Sequence, residues 1–159
     1  MSSYVAAVEW TLDGEFARGR YSRAHRLRFD GGIEVAASAS PSVVPRPWSV
    51  DAAVDPEELL VAAIASCHML SFLDIARRAG CSIERYEDAA EGVMEKTAEG
   101  RLWLSRVLLR PKIAFVGPAP SAAELEALHH KAHDVCFIAN SVKTEVRVAA
   151  ANETPAAAL

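Results

Sequence analysis

Apolar and polar positions alternate through the first quarter of the chain, then give way to a long apolar run. Residues 4–12 read as a strand, and so do 24–30, where Leu27 and Phe29 alternate with His25, Arg26 and Arg28. Alternation resumes over 33–37. Between the last two lies Asp30-Gly31-Gly32, a hairpin signal because both glycines accept positive φ. Residues 40–54 carry Pro41, Pro45 and Pro47, which cannot donate to a ladder, so a loop is expected.

The strongest element spans 55–79. Asp55 can cap, Pro56 suits the first helical position and Glu58 completes an Asp-x-x-Glu box. Gly80 supplies a left-handed stop after Arg77 and Arg78. Such a helix is about 36 Å long. Its middle, 59–65, is apolar all round, which predicts burial on every side and makes a partner chain a reasonable expectation. Two strands follow, near 82–96 and 101–115, joined by Ala98-Glu99-Gly100. Ser121 and Glu124 open a second helix reaching Val135, with a core stripe of Leu125, Leu128, Ala132 and Val135. A last strand is expected over 142–149. The reading is α+β: an antiparallel sheet packed on a long central helix, with a second, amphipathic helix. Residues 1–150 make one domain, and 151–159 form an Ala-rich tail expected to be disordered.

Composition narrows the function. With 51% apolar and 24% charged residues the 159-residue chain is an ordinary globule, and a net charge of −4 argues against nucleic-acid binding. The apolar run 59–73 is interrupted by Ser66, Cys67, His68 and Ser71 and falls short of a bilayer span, so no membrane association is expected. Met1-Ser2-Ser3-Tyr4 shows neither a basic segment nor an apolar core of a secretory signal. Three cysteines without a CxxC pair give no disulfide framework, and a reducing cytoplasm is the default compartment.

Several residues could carry chemistry. Cys67 lies mid-helix among Ala63, Ile64 and Leu70, where a free cysteine commonly packs as a small hydrophobe. A reactive thiol there needs a cation brought to it, since an ordinary thiol of pKa about 8.5 is only a few per cent thiolate at pH 7. Arg18, Arg20, Arg23, Arg26 and Arg28 are available. Arg26 and Arg28 share one strand face and suit solvent, whereas the first three sit in a connection that can aim a side chain inward. His129, His133 and Cys136 are spaced i, i+4, i+7 with His130 beside them, which leaves a metal site open, although a polar helix flank explains them equally. Cys81 shows no partner, and His68 reads as a hydrogen-bonded helix residue pointing about 100° from Cys67.

Two segments together carry a resemblance: Asp55-Pro56-Glu57-Glu58-Leu59-Leu60 leading to Ser66-Cys67-His68-Met69-Leu70, and Ala132-His133-Asp134-Val135-Cys136-Phe137. The chain resembles the osmotically inducible protein C and organic hydroperoxide resistance (OsmC/Ohr) family over about residues 4–149. It is most similar to the branch with Tyr-Ser-Arg-x-His, here Tyr21-Ser22-Arg23-Ala24-His25. The resemblance implies an intertwined homodimer with interfacial active sites and a thiol-dependent peroxidase that needs no bound cofactor or metal. By that likeness Cys67 is the peroxidatic thiol, Cys136 the resolving thiol, Glu57 the carboxylate that positions an arginine, and Arg23 that arginine, with Arg18 or Arg20 as alternatives. Organic hydroperoxides would be the substrates, possible hydrogen peroxide use aside, and an external dithiol of lipoyl type the reductant. A non-enzymatic dimeric scaffold or small-ligand binder is the other reading of the same fold.

Ten residues separate Glu57 from Cys67, about 15 Å along a helix, too far to share one guanidinium on a straight helix. The expectation is a Glu57 contributed by the partner subunit, or a bent or extended segment at Pro56. His68 and Phe137 stand where the better-known branches carry a bulky apolar residue and proline, which bears on substrate range and reductant.

Overall fold

The computed structural model describes residues 2–149, so the tail expected at 151–159 lies outside the described residues. Two compact units divide between Leu59 and Leu60.

In the first unit, β1 (Ala6–Glu9), β4 (His25–Phe29) and β5 (Glu34–Ala37) form an antiparallel sheet in the order β1-β4-β5. The register aligns Val8, Leu27 and Val35 in one apolar row across the strands. On the other face Arg28 pairs with Glu9 and Arg26 with Glu34, the solvated role expected of those arginines. The β4–β5 hairpin turns at Asp30-Gly31-Gly32, but only Gly32 takes a positive φ, +82°. β2 (Gly14–Glu15) and β3 (Arg20–Tyr21) form a short ladder around a 3₁₀ turn at Phe16–Arg18. Gly14 is required there: its φ is +111°, and a Cβ would collide with the Arg20 carbonyl oxygen. The proline-bearing loop contains no strand beyond a single bridge from Val54 to Ala37.

The helix α1 (Pro56–Arg78) carries the predicted caps. Glu58 N–H donates to Asp55 Oδ1 at 2.8 Å, and Asp55 N–H donates to Glu58 Oε2 at 3.0 Å. At the other end Cys81 N–H reaches Ala76 O and Gly80 N–H reaches Arg77 O, a Schellman closure with Gly80 at φ +84°. Burial departs from expectation. Ile64, His68, Phe72 and Ala76 form one buried stripe at i, i+4 spacing, while Ala62, Ala63, Ser66 and Leu70 are exposed in the single chain. By length and composition alone α1 could also cross a membrane, so the interrupted 59–73 run understated its apolarity. The buried stripe is that of a core helix.

Each long strand expected after Gly80 is broken in two. β6 (Ile83–Asp88) pairs with β9 (Pro111–Phe115), and β7 (Glu91–Lys96) with β8 (Leu102–Leu109). Pro111 has no N–H to continue the ladder. At the break Arg110 N–H donates to Asp88 Oδ1 at 2.6 Å, and the Arg110 guanidinium bonds Glu91 at 2.8 Å, both side chains largely buried. β10 (Glu145–Val148) runs parallel to β8, giving the order β10-β8-β7. The single antiparallel sheet is therefore replaced by several small sheets, one of them mixed.

The helix α2 (Ala122–Val135) opens on the Ser121–Glu124 capping box. Its Leu128 and Ala132 pack with Phe72 and Ala76, flanked by Leu125. Val135, assigned to that stripe from the sequence, is 49% exposed, and His129 is buried in its stead. A second cluster joins Ile64 to Leu104, Val107, Leu109 and Val146.

Candidate active site

Cys67 and Cys136 are brought together by the end of α2. Cys136 leaves helical geometry (φ −72°, ψ 108°) as its N–H bonds His133 O. The chain then turns into a 3₁₀ segment, Ala139–Ser141, closed by Asn140 N–H to Cys136 O at 3.0 Å. This turn aims the backbone N–H of Ile138 at Cys67 Sγ, 3.5 Å away. The Cys136 thiol is fully buried and neighbours Cys67. Burial first, and then the neighbouring Cys67 thiol, push the Cys136 thiol up, so it holds its proton. Both cysteines are free thiols, with Cys67 the more accessible. Cys81, by contrast, packs against the Phe72 cluster.

Within the first unit, Arg23 is the half-buried one of the three connection arginines. Arg18 pairs with Glu15 at the surface, and Arg20 is exposed. The Arg23 guanidinium lies 3.6 Å from the centre of the Tyr21 ring and donates to the carbonyls of Gly19 and Tyr21. Trp10, Phe16 and Tyr21 form an aromatic group whose ring centroids are 4.8–6.1 Å apart. With Arg23, Val8 and Pro56 they line a cavity of about 430 Å³. Glu57 lies in the first turn of α1, so the option of an extended segment beginning after Pro56 falls away. Its Oε2 is buried without a hydrogen-bond partner among the described residues. Among the described residues Arg23 and Glu57 are not ion-paired.

The histidines do not gather around Cys136. His129 turns inward, its Nδ1 3.1 Å from Nε2 of buried His68, with the rings stacked and Phe72 against His129. Burial lowers both imidazoles to about 4, helped at His68 by the charges of His129 and His133, so both are neutral at pH 7. No group of three or more His, Cys, Asp or Glu among the described residues is placed to hold a metal ion. Sequence reasoning gave His68 a hydrogen-bonded role without naming His129. The aromatic group and the Ile138 donor were also missed: the former's one visible trace was the Trp10, Phe16, Tyr21 cluster, and a backbone donor leaves none.

Residues 49–151 match the family of OsmC-like proteins. The chain belongs to that family. An OsmC-like protein of unknown function from Vibrio cholerae is 49% identical, with 94% of this chain and 99% of that one covered and a TM-score of 0.89. An organic hydroperoxide resistance protein from Elizabethkingia anophelis shares the fold at 21% identity, over 93% and 94% of the two chains, with a TM-score of 0.68. One from Bacillus subtilis does so at 18% identity, over 91% and 96%, with a TM-score of 0.64. No curated protein matches the chain. The OsmC-like fold is thus shared with organic hydroperoxide resistance proteins.

Proposed function

We propose that this OsmC-like protein is a cysteine peroxidase acting on organic hydroperoxides. The observation that carries the reading is the Ile138 N–H aimed at the Cys67 sulfur, with the buried Cys136 thiol beside it. Cys67 thiolate attacks one oxygen of ROOH, the O–O bond breaks, and RO⁻ leaves to take up a proton. The product is a sulfenic acid at Cys67. Cys136 then displaces that oxygen as water and forms the Cys67–Cys136 disulfide. An external dithiol, of lipoyl type, reduces the disulfide by exchange. Arg23 stabilises the charge on sulfur and on the departing oxygen, and Glu57 positions its guanidinium.

The unpartnered Glu57 oxygen supports this assignment, because a buried carboxylate lacking a donor is costly and a guanidinium supplies donors in pairs. The protein works as an intertwined homodimer in which one subunit's Glu57 and Arg23 serve the other subunit's Cys67. The exposed apolar side chains Val8, Leu12, Leu70 and Phe137 support a partner chain. Bulky organic substrates suit the aromatic cavity beside Arg23, and the free thiols suit a reducing cytoplasm.

Reduced protein mixed with one equivalent of cumene hydroperoxide tests the reading: consumption of the peroxide with formation of the Cys67–Cys136 bond, both lost in Cys67→Ser, is expected. Oxidation no faster than that of a small free thiol favours the scaffold or binder reading instead.

A further inference from the structure

Neither Cys67 nor Cys136 lines a cavity of about 600 Å³ that opens in the second unit beside α2 and β10. Its size is that of a small-molecule site. α2 is two-faced there. Leu128 and Ala132 pack on Phe72 and Ala76, while Ala123, Glu126, Ala127, His130 and His133 follow the i, i+3, i+4 rows and line the cavity. The alanines leave it unfilled. Leu109, Val146 and Val148 supply an apolar wall.

The polar side is built from the core outward. His68 is 1% and His129 8% exposed, and both line the cavity. Among the described residues His68 Nδ1 is buried without a partner. Two neutral tautomer pairs are compatible with the His68 Nε2 to His129 Nδ1 contact. If His129 donated, His68 would strand a buried N–H. If His68 donates, only a lone pair is left over, the less costly defect. The second arrangement leaves His129 Nε2–H as a donor for an occupant. His130, His133 and Arg147 add donors, and Glu126 is the one carboxylate among the lining residues.

We infer that this cavity binds a medium-chain carboxylate, its head held by His129 and its neighbours and its tail on the Leu109, Val146 and Val148 wall. The inference is independent of the thiol chemistry.

Calorimetric titration of the full chain with octanoate tests it, with octan-1-ol and acetate as controls. One octanoate per chain is expected, with each control weaker by about tenfold or more, since one removes the charge-assisted bonds and the other the apolar contact. Ala127→Phe, at an exposed helix position, should abolish binding without changing the melting temperature, and Glu126→Gln should tighten it. Cys67→Ser should bind as the parent does. Absence of saturable heat, octanol binding as tightly as octanoate, or an indifferent Ala127→Phe would each overturn the inference.

Discussion

The backbone N–H of Ile138 points at the sulfur of Cys67 across 71 residues of sequence. A donor fixed in the backbone cannot swing away, because the 3₁₀ turn after α2 holds it in place. The neighbouring Cys136 keeps its proton through burial and the closeness of Cys67. The two thiols differ in exposure, Cys136 being buried and Cys67 partly accessible, and the proposed roles of attacker and resolver give them different expected fates. Cys136→Ser should still consume one equivalent of organic hydroperoxide but stop at a Cys67 sulfenic acid, trapped by dimedone and read as an adduct by mass spectrometry. Excess peroxide should carry it on to sulfinic acid.

Arg23 should matter to rate more than to stability, being half-buried and held by two carbonyls and one ring. Arg23→Gln is expected to slow peroxide reduction by about 10²–10³, the usual cost of removing one charge-stabilising donor group. Arg18→Gln, which loses only a surface pair with Glu15, should have little effect. Single-turnover rates for the two variants check the choice between them.

Acid should weaken the fold through the His68–His129 pair. Both imidazoles are near 4 when folded and return to about 6.5 when unfolded. Between those values the unfolded chain binds more protons, so the contribution of the pair is full above about pH 6.5 and is lost as pH falls toward 4. Each ring contributes up to about 3 kcal/mol, so the loss is at most on the order of 6 kcal/mol, or roughly 10–25 °C in melting temperature. Scanning calorimetry from pH 7 to 4 measures it, and NMR should show both ring signals unmoved from pH 8 to 5.

Arg110 holds the break between β8 and β9. Replacing it by methionine removes the guanidinium that bonds the largely buried Glu91, while the backbone N–H that bonds Asp88 is kept. A destabilisation of about 2–4 kcal/mol is expected in urea unfolding.

Local chemistry made much of this fold legible. The Asp55–Glu58 and Ser121–Glu124 boxes and the Gly80 stop each occupy a few adjacent residues, and all three ends stand where they were read. What depends on distant partners was not legible in the same way. The runs 82–96 and 101–115 hid breaks at Asp88–Glu91 and Arg110–Pro111, because Pro111 was read within a strand rather than as its first residue. The parallel β10 could not be inferred from alternation, which says nothing of direction. At the site, the two cysteines were chosen from family resemblance. The His129 pairing with His68 was masked by its i, i+4 relation to His133, a spacing that suits metal ligands and a buried stack equally.

The central claim is that Cys67 and Cys136 form a peroxide-driven dithiol pair. Stopped-flow mixing of reduced protein with cumene hydroperoxide, followed by peptide mass spectrometry, tests it most directly. Oxidation should be at least about 10³ times faster than that of a small free thiol, faster than with hydrogen peroxide, and should end in a Cys67–Cys136 bond. Oxidation at the free-thiol rate, or a product without that bond, would contradict it.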